Sequence, residues 1–545
     1  MASEVRTTDN ALTPVYPDDI DLETTPEAVS STTTQQSMDS AKEHIPILHY
    51  ICMLMGSMLF VFLGGYDFAA SAAVMPTIGF KFSTLSTVNW VVVAHLLPMG
   101  ALLPSVGKLA NVCGYRSTLL IFSLLHIAGS AMSGAANGMA LLLAGRAVAG
   151  VGAAGTSIIP VIAISQTGSK HQQQLGLRML LFIWLVGSVI GLAGGGHLST
   201  LKHWRWVFYF DIPFVVVALV LSVFAIRIPK NQGSRMHMLK RIDILGTLFI
   251  AGSVLTLVLA LNYGGNVLKW SSGVVITLFV LAVFLFIVFV FIEAKMASEP
   301  ILPSSLFKTR TGGALIIVQP FIGIATFAPV VYLILWYDVV KFKSAADASL
   351  YVLAVALAAL VASAVSEVVV TLLRRCRPLV RLSMPLMALG CGLLIILDEN
   401  TSNGIPIIFM AILGLGIGMS FQPHFLMLRA AAGASPMAEV VASVLFLRLL
   451  GAAVGIALFN AVLQNNLSTK LAEVVLRNPL YVQYILRSMN NQDIVHLDSV
   501  PQSVRDDIIH ANAQGFRAIF IACLVFAAVS VPLLVFIKRH PPISS

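Results

Sequence analysis

Asp67, Arg146, Glu367 and Arg448 stand as full charges inside runs of apolar residues, joined there by His95, His126 and His424. Residues of these types can pass a proton across a barrier. A carboxylate or imidazole takes up and gives back a proton, whereas an arginine near neutral pH cannot. Arg146 therefore reads as a fixed charge that tunes a carboxylate, because burial and an opposite neighbour push carboxylate affinity for protons in opposite directions. On this reading Asp67 carries the proton beside Arg146, and Glu367 and Arg448 are second candidates. Each also has a structural alternative. Arg146 could pair with a loop acid or with backbone carbonyls. Asp67 could lie wet at the outer end of its helix. Glu367 is expected to pair with the basic run Arg374–Arg381 just beyond it. His95 and His424 read as polar packing residues that could also meet a substrate.

The elements that must hold these groups are membrane helices. Arg146 falls within LLLAGRAVAGVGAAGTSIIP, Leu141 to Pro160. That run has the ~20 residues needed to cross a bilayer. A charge in such a run costs at least ~2.5–3.5 kcal/mol unless it faces a partner or a watery cavity. Gly145, Ala149, Gly150, Gly152, Ala153 and Ala154 let other helices approach it closely. Across the chain, hydrophobic residues make up 57% and charged residues 11%, far below the about 25% charged residues of a soluble domain. The fold class is all-α integral membrane. Spans are expected near 47–69, 87–106, 118–136, 139–165, 176–198, 207–226, 244–262, 273–293, 312–335, 349–371, 379–397, 405–427, 438–463 and 515–537. The five cysteines are scattered without a CxxC, so neither a zinc site nor a disulfide framework is indicated.

The net charge of +9 suits cytoplasmic loops held by lysine and arginine rather than a nucleic-acid partner. With the N-terminus inside, one side gathers Lys108, Arg116, Lys170, Arg178, Arg227, Lys230, Arg235, Lys240, Arg241, Arg374, Arg375, Arg429, Lys538 and Arg539. Lys202, Arg205, Lys269 and Lys341 fall on the other side. The sequons at Asn400 and Asn466 fall outside as glycosylation acceptors. Residues 1–44 are polar and acidic and predict a disordered cytoplasmic tail. The outside stretch 464–514 carries Leu467, Leu471, Val474 and Val475 at helical spacing. It predicts a surface helix or an extension of the thirteenth span rather than a binding domain.

Two halves show a faint repeat. Gly150 and Gly152 precede Pro160 in the fourth span, as Gly414, Gly416 and Gly418 precede Pro423 in the twelfth. Paired Gly/Pro-interrupted spans point to a repeat-built transporter. The loop GKLANVCGYRSTLL resembles the cytoplasmic signature G-x-L-A-D-x-x-G-R-[KR] of the major facilitator superfamily. Gly107, Gly114 and Arg116 match, while Asn111 replaces the aspartate and Tyr115 a basic residue. Arg146 with its glycines resembles the fourth-span signature of that family. Gly187, Gly191, Gly195 and Gly196 match its antiporter signature, with Leu192 in the proline position. GGYDFAASAAVMP, HWRWVFYFDIP, GMSFQP and FLRLLGAAVGIA resemble the fungal branch of the fourteen-span drug:proton antiporters. That resemblance implies six-helix bundles over 45–230 and 301–540, with two extra helices within 231–300. It implies that Gly107, Asn111, Gly114 and Arg116 latch the inside, and that Gly187, Gly191 and Gly195 form a helix-packing face.

The resulting expectation is a monomeric proton-coupled exporter of a small amphipathic organic molecule in the plasma membrane. It needs lipid, a proton gradient and no cofactor. No G-x-x-x-x-G-K-[ST] is present for ATP. Phe60, Phe62, Phe321, Phe327, Trp336 and Phe421 are candidates for a greasy pocket. The alternatives are a vacuolar transporter of basic amino acids or a siderophore transporter. A membrane enzyme is disfavoured because no H-E-x-x-H or similar cluster occurs, and a receptor because no span of loop is long enough for a ligand domain.

Overall fold

A computed structural model describes residues 47–200, 203–226, 243–265, 267–297, 300–373, 376–433, 437–488 and 500–537. The tail 1–44, the basic residues Arg227 to Arg241, Arg374, Arg375, Lys538, Arg539 and Lys202 lie outside the described residues.

Within the described residues 14 helices are long and apolar enough to cross a membrane. In hydrocarbon every backbone N–H and C=O must be satisfied internally, which a helix does by itself. The N-terminal half comprises α1 (Ile47–Phe82), α2 (Trp90–Cys113), α3 (Tyr115–Gly134), α4 (Met139–Gln166), α5 (Lys170–Thr200) and α6 (Asp211–Ala225). Two further helices follow, α7 (Ile244–Tyr263) and α8 (Gly273–Lys295). The C-terminal half comprises α9 (Arg310–Val339), α10 (Ala345–Leu373), α11 (Arg377–Leu393), α12 (Ile405–Ala432), α13 (Met437–Arg477) and α14 (Gln502–Leu533).

The number of spans is as expected, but several helices outrun their hydropathy. α1 continues thirteen residues past the expected end at Phe82 because Ala69, Ala70, Ala72 and Ala73 are buried helix formers. α13 extends to Arg477. There Leu467, Leu471 and Val474 pack on Val500, Val504, Ile508 and Ala511, so the outer stretch is a helical extension with its own small apolar cluster. α14 accordingly starts at Gln502 rather than 515. Hydropathy marks the slab of lipid, whereas the helix ends where capping and packing end it.

Glycines set the packing, and they set it twice. A Cβ at Gly187 would meet the Phe62 carbonyl, and one at Gly451 the Pro320 carbonyl. Gly65 lies on the Trp184 carbonyl as Gly323 lies on that of Arg448. Gly150 meets the backbone of His95 and Gly152 that of His126, as Gly414 meets Val355 and Gly416 meets Met387. Each contact in one half recurs in the other at one register. α1 on α5 is thus repeated as α9 on α13, and α4 on α2 and α3 as α12 on α10 and α11. Leu192 is buried in an unbroken α5. The face Gly187, Gly191, Gly195 packs on Phe62, Tyr66 and Ala70 of α1. It is therefore an interior seam of one bundle and not a surface on which the halves meet.

The halves meet along α5 with α10 and along α2 with α13. At the basic end Arg178 donates to Glu367 at 2.5 Å. At the opposite end Asn89 donates to Asn262 at 3.1 Å, and Asn460 donates to Ser86 O at 3.1 Å and to Asn262 at 3.3 Å. Asn262 belongs to α7, so one of the two extra helices is tied to both halves. α8 instead presents Val280, Val283, Phe284, Ile287 and Phe291 outward, as a helix against lipid does.

Candidate functional site

The glycines that pack α4 also assemble the site. Gly150 and Gly152 lie about one to two turns beyond Arg146. They draw the α2 and α3 backbones against α4 at His95 and His126. Arg146 then reaches Asp67 of α1 with both arms: Nη1 donates to Oδ1 at 2.6 Å and Nη2 to Oδ2 at 2.7 Å. Its Nε donates to the Val91 carbonyl at 2.9 Å, and its plane lies 5.4 Å from the Phe208 ring centroid. Asp67 is 2% exposed and Arg146 1%. The alternative of a wet Asp67 is thereby corrected. A forked, charge-assisted pair is the strong kind of hydrogen bond, and stripping one partner from a buried pair costs about 3–5 kcal/mol.

Histidines extend the cluster. His95 Nε2 is 3.4 Å from Asp67 Oδ2. The His95 and His126 ring centroids are 6.4 Å apart. His126 Nδ1 faces Thr156 Oγ1 at 3.4 Å, and its Nε2 is 3.9 Å from Asp211 Oδ2. Asp211 was missed among the charges of the spans. It opens α6 behind the aromatic stretch HWRWVFYF, where it read as part of a motif. The available signal was a carboxylate inside an apolar run.

The C-terminal half builds a different site. Arg448 of α13 donates through Nε to Gln319 of α9 at 2.7 Å and through Nη2 to the Ser420 carbonyl at 3.2 Å. Its guanidinium lies 5.1 Å from the Phe421 ring centroid. Gln319 carries no charge and so gave no signal in the sequence. His424 is fully buried, and neither ring nitrogen has a hydrogen-bond partner among the described residues.

Between the halves four rings converge. Phe327 packs against Phe68 at 4.5 Å and Trp184 at 5.9 Å between centroids, and Trp184 against Phe421 at 5.4 Å. Phe327 and Phe421 of the expected greasy pocket are therefore brought together, and Phe68 and Trp184 join them. Phe321 packs on Phe526, Phe62 on Tyr66 and Trp336 on Tyr337, while Phe60 is buried in the core.

Glu367 is placed differently from expectation. Its partner across the bundle boundary is Arg178, with side-chain exposures of 29% and 33%. α5 stands alongside that end of α10 and supplies this partner from another helix, while Arg374 and Arg375 of the expected basic run lie outside the described residues. In the loop after α2, Gly114 has φ +94°, a conformation glycine adopts freely. The two departures from the signature answer each other there: the Tyr115 hydroxyl donates to Asn111 Oδ1. Lys108 donates to the Pro300 carbonyl at 3.2 Å, and Arg116 to that of Ile226. Gly107 rests on Ile162 and Ile158 of α4. Asn400 is exposed in the turn before α12. The Asn466 side chain donates to Val462 O at 2.9 Å inside the α13 extension.

Solved structures with this architecture are membrane transporters. A POT family peptide transporter in an auto-inhibited form superposes with TM-score 0.59 at 14% identity, covering 91% of this chain and 98% of that one. A bacterial homolog of the human lysosomal transporter Spinster, facing inward and unoccupied, gives TM-score 0.55 at 15% identity over 89% and 96%. These share the fold of this chain, a multi-pass bundle of membrane helices. The family profile of the Major Facilitator Superfamily matches residues 57–456, and the chain belongs to that family. Among curated relatives, the efflux pump aflT of Aspergillus parasiticus is 29% identical over 484 residues, 88% of this chain and 89% of that one. The aspyridones efflux protein of Neocamarosporium betae is 28% identical, over 90% and 87%.

Proposed function

We propose that this protein is a proton-driven antiporter that carries a small amphipathic organic molecule out of the cytoplasm, a reading supported by its likeness to the efflux pump aflT. The observation that carries the reading is the forked Asp67–Arg146 pair, buried and flanked by His95. Arg146 keeps its charge throughout. Asp67 is the group that changes, and protonating it turns the forked ion pair into a single hydrogen bond to a neutral acid, beside the Val91 carbonyl and the Phe208 face that Arg146 also contacts. That loss of electrostatic attraction in a dry interior is large enough to favour a different packing of α1 on α4. Proton loading and helix rearrangement are thus the same event. The cargo passes where Phe68, Trp184, Phe327 and Phe421 meet, rings whose faces suit a flat apolar molecule. No cofactor enters this scheme, and one copy of the chain holds every residue it uses.

The test is export from vesicles with an imposed pH gradient, using a fluorescent amphipathic dye as cargo. Asp67→Asn should reach the membrane yet lose gradient-driven export, while cargo exchange without a gradient persists. Gradient dependence unchanged in Asp67→Asn would overturn the reading. Export from the cell calls for the plasma membrane, with Asn400 outside as glycan acceptor. In a vacuolar membrane the same exchange would become sequestration, and imaging of a tagged chain separates the two.

A further inference from the structure

Asp211 is the most completely buried carboxylate of the site, at 0% exposure. Neither of its oxygens has a hydrogen-bond partner among the described residues, and the same holds for His126 Nε2. The two unpartnered groups face each other at 3.9 Å. When Thr156 Oγ1 donates to the Ala153 carbonyl, 3.4 Å away, it accepts from a hydrogen on His126 Nδ1, also 3.4 Å away. In a neutral imidazole with hydrogen on Nδ1, Nε2 presents a lone pair. A lone pair aimed at a bare carboxylate in a dry interior is a repulsive arrangement that leaves two buried groups unsatisfied. One proton placed between them removes both faults, whether it rides on Asp211 or makes His126 an imidazolium.

We propose that Asp211 and His126 together hold a second exchangeable proton, in addition to the one on Asp67. This rests on the antiport reading above and extends it. The groups facing Asp211 are Tyr66 and Asp67 from α1, His126 from α3 and Arg146 from α4. His95 stands between the two carboxylates, with Nε2 toward Asp67 and its ring beside that of His126. Asp67, His95, His126 and Asp211 thus form a row, with Asp67 Oδ2 3.4 Å from His95 Nε2, the two imidazole rings 6.4 Å apart and His126 Nε2 3.9 Å from Asp211 Oδ2. Both sites load while the bundle is open to the outer side and both empty while it is open to the inner side, so the second proton travels with the first. Two protons therefore move per cargo molecule. The balance is simple: each site binds one proton on the outer side and gives up one inside.

Two measurements test this on the full-length protein. The first is the number of protons taken up per dye molecule exported from vesicles, which sets the slope of the equilibrium against pH. Asp211→Asn should halve it while export continues, whereas Asp67→Asn should abolish gradient-driven export altogether. The second is the infrared difference spectrum of purified protein between acidic and alkaline buffer. A protonated-carboxyl band present in Asp67→Asn should vanish when Asp211→Asn is added. His126→Gln, which cannot share the proton as imidazole does, should shift that band and lower the ratio likewise, and it serves if Asp211→Asn does not accumulate. An unchanged ratio in Asp211→Asn or His126→Gln, or no Asp211 band, overturns the second site while leaving the Asp67 reading intact. If Asp67→Asn keeps its gradient dependence, it is the antiport reading that fails.

Discussion

The two halves share a scaffold and differ in what they place on it. The glycine contacts align Tyr66 with Ile324, Gly150 with Gly414 and Gly187 with Gly451. In that register Ala325 stands in the position of Asp67 and Met410 in that of Arg146. Trp184 stands in the position of Arg448. The N-terminal half thus has a carboxylate–arginine pair ringed by histidines. The C-terminal half has an arginine held by an amide, a carbonyl and an aromatic face. Backbone packing tolerates the repeat because glycine contacts specify only distance. The chemistry is set by single side chains and need not be repeated. On the antiport proposal, a proton site in one bundle and a fixed cation in the other is a division of labour that a symmetric pair of bundles would lack.

The sharpest way to break that comparison is at the matched glycines. A Cβ at Gly191 would lie 2.5 Å from the Tyr66 carbonyl, a backbone atom next to Asp67, while one at Gly455 meets the Ile324 side chain at 2.8 Å. Backbone cannot yield and a side chain can. Gly191→Leu should insert and then lose nearly all transport, because α5 is forced off α1 within the bundle that holds the pair. Gly455→Leu should keep a measurable part of it. Equal losses in the dye-export assay would mean that scaffold alone, not the site, is being read.

A smaller effect is expected from the arginines. Arg146→Lys keeps charge but loses the fork that spans both oxygens of Asp67, so export should fall by about tenfold, the effect of roughly 1.4 kcal/mol, close to the lower end of the range for hydrogen bonds to charged groups. Arg448→Lys should lower export less and leave its dependence on the pH gradient unchanged, since no carboxylate is bonded to Arg448 among the described residues. A change of gradient dependence in Arg448→Lys would assign proton coupling to both halves.

The smallest effect should come from Glu367→Gln. Its bridge to Arg178 is about one-third exposed, and such pairs contribute about 0–1 kcal/mol. Export should change by a few-fold at most, with the same gradient dependence. Loss of that dependence would make Glu367 a proton carrier in its own right and undo the division between the halves.

The sequence revealed the membrane class, the number of spans and the Asp67–Arg146 candidates, because a charge in a lipid-crossing run is costly and therefore conspicuous. It revealed partners poorly. Glu367 was matched to its neighbours in the chain, whereas Arg178 reaches it from another helix. Asp211 lay hidden at the head of an apolar run, and Gln319 has no charge to draw notice. Gly191 was legible as part of a helix-packing face, but a smooth glycine face announces close packing without naming the helix it packs on. Helix ends at Phe82 and Gln502 were out of reach because small buried residues and an outer apolar cluster extend helices beyond the lipid.

The two ends of the molecule are held by bonds of different kinds, and dissolved salt distinguishes them. The Arg178–Glu367 bridge at the basic end is ionic and about one-third exposed, where counterions weaken attraction over a Debye length of about 10 Å at 0.1 M. The Asn89–Asn262–Asn460 junction at the other end is neutral and buried, so electrolyte leaves it untouched. Raising ionic strength therefore loosens one end only and tilts the resting protein toward opening at its basic face. A cysteine placed beside Glu367 should be labelled faster in high salt than in low, while one beside Asn460 should not, so the transporter's resting posture is set by the electrolyte of the compartment its basic face looks into.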